Sequence, residues 1–393
     1  MERAELESLV AATGCAESHG GYTFLVDPHW SASQRAAFEE ISSQLPALGY
    51  QLPAPSSRLD QGWLCIPTGG TSGGLKFARH DEQTLTAAAR GFAEHFKFTQ
   101  INTVDVLPPW HVSGLMARVR CAETQGRHLP WAWKELEQGN FPEITPGEPW
   151  PLSLVPTQLQ RLLGQPAAVA WLRQLALIPV GGGPVWPALA EAAREAELPV
   201  ILSYGMTETA AMVCAQRPED FAAGDTSSGR VMPHAQITID DATGAIQVAG
   251  ETLMRGYYGE APTGPQFTTP DRGQLDAAGR LQVEGRRDDV VITGGEKVNL
   301  RTVEEVLRGL GRFDDVAVVA LPDVEWGEVI VACHTGPADP AESDPVINAH
   351  LSRHQRPKHW LAFAAADWPR NAQGKLNRAA LRAAASALVH PRR

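Results

Sequence analysis

Between residues 63 and 248, short apolar runs alternate with longer stretches that have helical spacing. We interpret the apolar runs 104–107, 152–155, 175–180 and 199–202 as strands, and stretches such as 83–95 and 186–196 as helices. Strands that alternate with helices are typical of an α/β fold with a mostly parallel sheet. The alternation therefore predicts this fold for the larger part of the chain.

The predicted secondary structure differs before and after this α/β region. Residues 1–60 indicate a small helical lead-in, and short alternating strands from residue 236 indicate a β-rich subdomain packed against the α/β core. After the charged segment 285–289, helical and strand-like stretches predict a compact α+β unit of the size of a small domain. We therefore expect a large N-terminal domain over residues 1–286 and a small C-terminal domain over residues 287–393.

Composition narrows the class of protein. The 393 residues are 43% hydrophobic and 20% charged, as in soluble globular proteins. The net charge of −11 argues against nucleic acid or an anionic membrane as the partner. The five cysteines form no C-x-x-C pair, and the chain has neither a signal-peptide core nor a run of 18 apolar residues. These features predict a cytoplasmic protein without a membrane span.

A glycine-rich stretch over residues 67–76, PTGGTSGGLK, follows the apolar run 63–66. Glycines let backbone N–H groups approach an anion closely, and hydroxyls and Lys76 add donors and positive charge. A Walker A loop needs Ser or Thr after its lysine, whereas Phe77 follows here. By itself the stretch is compatible with a polyphosphate cradle or with a plain surface loop.

A second polar group follows the predicted strand 199–202. In an open α/β sheet, ligands bind just past the carboxyl ends of the strands. There Tyr204 offers a flat face for a base, Thr207 a hydroxyl and Glu208 a carboxylate that can hold Mg²⁺. A glycine turn at residues 181–183 also follows a strand, so both segments are expected at the same edge.

Separated motifs occur in the order found in the adenylate-forming superfamily, which contains acyl-CoA synthetases, peptide-synthetase adenylation domains and luciferases. The segments that resemble this family are 71–76, 204–208, Asp271, 285–304 and 371–375. The resemblance implies a large N-terminal domain and a small mobile C-terminal domain. It also implies an ATP- and Mg²⁺-dependent enzyme that converts a small carboxylic acid into an acyl-adenylate and then into a thioester of coenzyme A.

The resemblance implies a role for each matching residue. The β- and γ-phosphates of ATP would be held by Thr68, Gly69, Gly70, Thr71, Ser72, Gly73 and Lys76. Tyr204, followed by Gly205, would stack against adenine near the turn formed by Gly181, Gly182 and Gly183. Asp271 would bind both ribose hydroxyls, and Arg286 would contact the ribose and phosphate. Thr207 would contact the α-phosphate, Glu208 would hold the Mg²⁺, and Lys375 would bridge the substrate carboxylate and the α-phosphate.

In this family the small domain rotates between the two half-reactions. Asp288 matches the hinge, and rotation would bring Gly294 and Gly295 towards the tunnel for coenzyme A. His111 and Ser113 are expected to line the acyl pocket. The family commonly has glycine where Pro270 stands, so the backbone beside Asp271 is expected to differ locally.

Residues 110–115, WHVSGL, and the short length resemble the 2-succinylbenzoate–CoA ligase branch, which serves menaquinone and phylloquinone biosynthesis. Alternatives are a ligase for another aromatic or fatty acid, an enzyme that loads a carrier protein, or a non-catalytic AMP sensor. The sensor is disfavoured because Lys76, Glu208, Arg286 and Lys375 are all present. Few residues precede the phosphate loop, so we expect a reduced N-terminal subdomain whose acyl pocket is shallower or is closed by a second subunit in a homodimer.

Overall fold

The structure is a computed structural model that describes residues 1–30, 32–43, 62–68, 75–145, 147–183, 185–286, 289–337, 344–370 and 376–389. Among these residues, two compact units separate. The first contains residues up to Glu284 apart from 186–188, and the second contains 186–188 and residues from Gly285 onward. The domain boundary between residues 286 and 287 stays a prediction. None of the described helices is long and apolar enough to cross a membrane.

The helices are α1 Arg3–Ala11, α2 Ala32–Ser43, α3 Glu82–Phe96, α4 Val112–Glu123, α5 Trp133–Glu137, α6 Pro156–Leu163, α7 Pro166–Leu172, α8 Pro187–Glu195, α9 Pro218–Ala222, α10 Leu300–Gly309, α11 Pro345–His350 and α12 Arg378–Val389. The strands are β1 Ala16–His19, β2 Tyr22–Leu25, β3 Leu64–Thr68, β4 Lys76–His80, β5 Thr103–Asp105, β6 His128–Pro130, β7 Ile178–Val180, β8 Val200–Met206, β9 Ala211–Ala215, β10 Arg230–Val231, β11 Ala235–Ile239, β12 Ala245–Gly250, β13 Gln266–Leu275, β14 Leu281–Arg286, β15 Val290–Thr293, β16 Glu296–Asn299, β17 Asp315–Asp323, β18 Gly327–Thr335 and β19 His359–Ala362.

The predicted parallel sheet is present in the first unit. Strands β5 and β6 pair in parallel, as do β7 and β8. Single parallel bridges at Leu152 and Leu154 join β5 to β7, so the predicted strand 152–155 is a series of bridges rather than a continuous strand. The α/β fold class is confirmed.

The N-terminal segment differs from the expected helical lead-in. Besides α1 and α2 it contains the antiparallel pair β1–β2, in which His19 lies opposite Tyr22. Gly20 and Gly21 connect these strands with φ of 57° and 85°. Such a two-residue turn favours glycine at both positions and matches the twist of a hairpin. The Gly-Gly pair was the available signal for these strands.

Strand β2 pairs in parallel with β3, and β3 pairs with β4 in antiparallel register, Thr68 opposite Lys76. The two ends of the glycine-rich stretch are therefore held side by side. Its residues Gly69, Gly70, Thr71, Ser72 and Gly73 lie outside the described residues. Helix α3 starts directly after β4, where the Asp81 carboxylate accepts a hydrogen bond from the Thr84 backbone N–H at 2.9 Å.

The predicted β-rich subdomain is the sheet with strand order β11–β12–β13–β14. Its inner face contributes Ile237, Val248 and Leu281 to a core shared with Tyr204 and Val213. This shared core fixes the subdomain on the strands that carry the predicted base-binding tyrosine.

The second unit is a mixed sheet, in the order β16–β15–β18–β17 with β19 beside β18, that packs against α10 and α12. The helix predicted over residues 298–310 begins at Leu300, because the Asn299 side chain caps it by accepting from the Arg301 backbone N–H at 2.9 Å. The helix predicted over residues 344–354 ends at His350, and a short 3₁₀ turn, Arg353–Gln355, follows.

Candidate nucleotide-binding site

Tyr204 and Gly205 lie on strand β8 itself and not, as predicted, in a loop after it. The strand continues to Met206 because β9 folds back on it, with Met206 opposite Ala211. Only Thr207 and Glu208 lie past the strand, in a single 3₁₀ turn, Thr207–Thr209. The predicted position at the carboxyl end of a strand is thus correct for these two residues.

Tyr204 and Asp271 are in direct contact. The Tyr204 hydroxyl donates a hydrogen bond to Oδ2 of Asp271 at 2.8 Å, and the tyrosine ring is buried. Burial, together with the negative charge of Asp271, raises the pKa of Tyr204, so the phenol stays protonated and remains a donor. Asp271 belongs to strand β13 rather than to a turn, so the second sheet presents this carboxylate to β8.

The turn after β8 is tightly constrained. A Cβ atom at Gly205 would lie 1.9 Å from the carbonyl oxygen of Ala211, which only glycine avoids. Ala210 and Ala211 have φ of 51° and 83°, a region that costs free energy for any residue with a side chain. Strain of this kind persists where the surrounding structure imposes it and is frequent at ligand sites.

Glu208 and Lys76 are joined through a tyrosine that the sequence interpretation did not include. The Tyr257 hydroxyl donates to Oε1 of Glu208 at 2.7 Å. The Lys76 ammonium lies 4.8 Å from the centre of the Tyr257 ring and 2.9 Å from Oε1 of Glu260. The predicted metal ligand and the predicted phosphate-binding lysine therefore belong to one connected group.

The backbone explains why these side chains meet. Tyr257 forms an antiparallel bridge with Ala78 of β4, and the backbone N–H of Tyr258 donates to the Phe77 carbonyl at 2.8 Å. The Met254 N–H donates to the Glu208 carbonyl at 2.9 Å. One extended segment thus runs between β4 and the turn after β8.

His80 contacts the backbone of the Thr207–Thr209 turn. Its Nε2 lies 2.8 Å from the Thr207 carbonyl oxygen, and its Nδ1 lies 3.0 Å from Oγ1 of Thr84. Burial lowers the pKa of His80 to about 4, so the ring is neutral at neutral pH. Because a carbonyl can only accept, the proton is on Nε2, and Nδ1 is left as the acceptor nitrogen beside the Thr84 hydroxyl.

The glycine turn Gly181, Gly182 and Gly183 follows β7, which is the strand next to β8. Gly182 has φ of 75°, and a Cβ atom at Gly181 would lie 3.5 Å from Oγ of Ser203. The turn therefore begins beside Ser203, the residue that precedes Tyr204, and its role at adenine stays a prediction.

His111 occupies the N-cap position of α4 without a capping hydrogen bond from its side chain, and Ser113 lies in the first turn of the helix. The neighbouring side chains Trp110, Leu115 and Met116 pack in the same core as Ala210 and Ala211. A cleft of about 340 Å³ opens nearby, but neither His111 nor Ser113 lines it. The residues that do are Asp105, Val106, Leu107, Pro108, Pro109, Arg118, Pro130, Trp131, Ala132 and Trp133.

The remaining predicted residues belong to other places. Arg286 is the last residue of β14. Gly294 and Gly295, with φ of 57° and 85°, form the turn of the hairpin β15–β16 in the second unit. Asp288 and Lys375 lie outside the described residues.

Three functional candidates escaped the sequence interpretation, namely His80, Tyr257 and Glu260. The segment RGYYGE over residues 255–260 places two tyrosines and an acid between glycines, which is an unusual composition for a plain turn. The local sequence does not show that this segment lies along β4, because residues 78 and 257, which form a bridge, are far apart in the chain. This long-range pairing is what brings Tyr257 to Glu208.

The chain combines an α/β core that contains parallel strands with an antiparallel sheet, and Asp271 of that sheet accepts a hydrogen bond from Tyr204 of β8. This arrangement is consistent with an adenylate-forming fold. The family model for AMP-binding enzymes matches residues 3–258 of the chain. The chain belongs to the family of AMP-binding enzymes, which confirms the resemblance inferred from its motifs.

The curated relatives include a 2-succinylbenzoate–CoA ligase from Lactococcus lactis subsp. lactis, 31% identical over 72% of this chain and 62% of the relative. An indoleacetate–CoA ligase from Aromatoleum aromaticum is 28% identical over 79% of this chain and 65% of the relative. The chain thus spans less than two thirds of the length of these two relatives.

Solved structures with the same fold include the o-succinylbenzoate CoA synthetase from Bacillus subtilis. In complex with the acyl-adenylate intermediate OSB-AMP, it superposes with a TM-score of 0.72 at 27% identity, covering 83% of this chain and 70% of that one. In complex with ATP and magnesium ion, the TM-score is 0.70 at 26% identity, with coverage of 82% and 70%.

Proposed function

We propose that the chain is an ATP-dependent acid–CoA ligase whose acid is 2-succinylbenzoate. In the first half-reaction a carboxylate oxygen attacks the α-phosphorus of ATP and pyrophosphate leaves. In the second, the thiol of coenzyme A attacks the acyl carbon and AMP leaves. The adenylate is needed because a carboxylate has no good leaving group of its own.

Two carboxylates placed beside the end of strand β8 carry the proposal. Tyr204 holds the carboxylate of Asp271, and Tyr257 holds the carboxylate of Glu208, which comes four residues after Tyr204 in the chain. Four residues span at most about 14 Å, and the 3₁₀ turn at Thr207–Thr209 shortens this distance, so one nucleoside triphosphate can reach from the first carboxylate to the second. In this placement Asp271 accepts from the ribose hydroxyls and Lys76 binds the pyrophosphate that leaves.

Glu208, on the turn after β8, suits Mg²⁺ that is bound together with ATP. Among the described residues no three His, Cys, Asp or Glu side chains form a cluster that could hold a metal alone. Mg²⁺ bound with ATP is typically held by one or two carboxylates, with phosphate oxygens and waters as the other ligands. Glu208 would supply the carboxylate, and the cation would neutralise charge on the phosphates.

The acid is assigned from relatives. Both the Lactococcus ligase and the Bacillus synthetase act on, or bind, succinylbenzoate species by name. Residues 110–115, WHVSGL, lie at the start of helix α4, and Trp110 and Leu115 share a core with Ala210 and Ala211, which follow the Thr207–Thr209 turn. We propose that His111 and Ser113 face the acid there.

The second half-reaction is proposed from the family resemblance. Lys375 would stabilise charge during adenylate formation. Movement about Asp288 would then exchange Lys375 for the Gly294-Gly295 turn, which would guide the thiol. Domain movement that completes two different sites in turn is an established form of gating.

Exchange of radioactive pyrophosphate into ATP tests the first half-reaction for each acid separately. We expect exchange with 2-succinylbenzoate without coenzyme A, and formation of the thioester and AMP once coenzyme A is added. A panel of benzoate, indoleacetate, medium-chain fatty acids and amino acids measures specificity. Absence of exchange with every acid would contradict the ligase assignment.

The indoleacetate–CoA ligase relative supports a second candidate, a ligase for another aromatic acid. Both candidates share the nucleotide chemistry and differ only in the acid. A kcat/KM for indoleacetate at least tenfold above that for 2-succinylbenzoate would favour the second.

A further inference from the structure

We propose that Tyr257 is a positioning residue that holds the Glu208 carboxylate for Mg²⁺ and connects it to Lys76. The inference rests on the proposed function, because it gives these two side chains their ligands. It concerns the residue between them, to which the sequence motifs assign no role.

The hydroxyl contact fixes one oxygen of the carboxylate. Tyr257 Oη lies 2.7 Å from Oε1 of Glu208, a short hydrogen bond of the kind that a charged acceptor makes. A glutamate on a short turn otherwise samples several rotamers, and binding a cation would have to freeze them. With Oε1 held by the phenol, Oε2 can take the cation without that cost.

The direction of this hydrogen bond follows from the two groups. A carboxylate oxygen only accepts, so the phenol hydroxyl of Tyr257 is the donor and Oε1 of Glu208 is the acceptor.

The ring contact aligns the lysine. The Lys76 ammonium lies 4.8 Å from the ring centre, within the range of a cation–π interaction. Lys76 also pairs with Glu260, but the side chains of both are about half exposed, at 54% and 52%. An exposed ion pair contributes little to stability, so a phosphate can replace Glu260 while the ring keeps the lysine near the site.

The backbone prevents the ring from leaving. Tyr257 is bridged to Ala78, and the next residue, Tyr258, is hydrogen-bonded to Phe77 and packs edge-on against Phe24 with ring centres 4.8 Å apart. These contacts hold Tyr257 in place between strand β4 and the turn that carries Glu208.

The test is equilibrium binding of α,β-methylene-ATP by calorimetry, with and without Mg²⁺, to the full chain. We expect Mg²⁺ to strengthen nucleotide binding by the wild type. In Tyr257→Phe, the factor by which Mg²⁺ raises the affinity should be about tenfold smaller, while the affinity without Mg²⁺ is unchanged. Tyr257→Leu, which removes the ring as well, should also weaken Mg²⁺-free binding by several-fold. Tyr258→Phe is the matched control, and thermal melting checks that each variant is folded.

A Mg²⁺ gain in Tyr257→Phe equal to that of the wild type would overturn the inference, as would a wild type whose affinity does not respond to Mg²⁺. Because the readout is binding, it is independent of turnover. A chain that shows the Mg²⁺ effect but no pyrophosphate exchange with any acid would keep the role of Tyr257 and refute the ligase assignment.

Discussion

Asp271 serves two partners in the proposed complex, the Tyr204 hydroxyl and the ribose. A buried tyrosine hydroxyl usually finds a hydrogen-bond partner, and here the partner is the carboxylate that the nucleotide would need. The tyrosine thereby fixes the direction of the carboxylate before a ligand arrives. The residue-scale consequence is that Asp271 is a directed acceptor rather than a general negative charge.

Asp271→Asn should raise the KM for ATP about tenfold, because a hydrogen bond to a charged acceptor is worth more than one to an amide. The variant should also lose the ability to distinguish ATP from 2′-deoxy-ATP in the exchange assay. Asp276→Asn, just after the same strand, is the control and should keep the preference. Unchanged discrimination in Asp271→Asn would show that the ribose lies elsewhere.

His80 makes stability depend on pH. Its pKa is lowered by burial from 6.5 to about 4, so the unfolded chain binds a proton that the folded chain excludes between these values. Stability is therefore complete above pH 6.5 and falls as the pH decreases towards 4, by as much as about 3 kcal/mol.

Urea unfolding measured from pH 7 to pH 4 checks this effect. His80→Gln, which can still donate to the Thr207 carbonyl, should show a shallower loss of unfolding free energy with acid. The exposed His350→Gln should keep the slope of the wild type. An identical slope in His80→Gln would assign the acid sensitivity to other groups.

At the scale of elements, the alternation of apolar runs was sufficient to predict the parallel sheet, since buried parallel strands are apolar on both faces. The extent of β8 could not be predicted in this way. Tyr204 and Gly205 look like loop residues, and it is pairing with β9 that extends the strand to Met206. Likewise Asp271 has turn-like neighbours, yet β12 pairs with Thr268 and Arg272 on either side of it, with a shift of register between them, and keeps this segment in a strand.

The second unit has its own buried charged group. Glu304, on α10, is 4% exposed and accepts from Arg378 of α12 at 2.8 Å and from the Val318 backbone N–H at 3.0 Å. Burial acts to lower the pKa of Arg378, but the charge and hydrogen bonds of Glu304 raise it overall. One carboxylate thus ties both helices to strand β17.

Glu304→Gln should lower the free energy of unfolding by about 2–3 kcal/mol, because it leaves the Arg378 charge without its counter-charge. Glu305→Gln on the same helix, which breaks an exposed pair with Arg301 instead, should change it by less than about 0.5 kcal/mol. Urea denaturation followed by circular dichroism measures both. Equal effects would mean that the buried pair does not hold the helices.

For the whole molecule, the order of the motifs in the sequence was sufficient to predict the family. The geometry of the site could not be predicted in this way, because it depends on contacts between residues that are far apart in the sequence. Residues 76, 208 and 257 come from distant parts of the sequence, and only the first two lie in segments that resemble known motifs. The unusual composition around Tyr257 does not predict its role, because that role is defined by the residues that fold against it.

Lys375→Ala tests the proposal that this lysine acts in adenylate formation and not in thioester formation. We expect it to reduce acid-dependent pyrophosphate exchange by about 100-fold, the usual cost of removing one stabilising donor. Conversion of separately supplied acyl-adenylate to thioester should be affected far less. The exposed Lys134→Ala is the control, and full exchange activity in Lys375→Ala would contradict the role of this lysine.

The register of β3 against β4 limits how the glycine-rich segment can vary in length. Thr68 and Lys76 face each other across the ladder, so the residues between them must begin and end at paired positions. A variant with a longer or shorter segment can keep that pairing, or it can shift the strands by one residue, which would turn Lys76 to the opposite face of the sheet. Variants with altered loop length should therefore fall into two sharply separate groups, active and inactive, rather than a graded series.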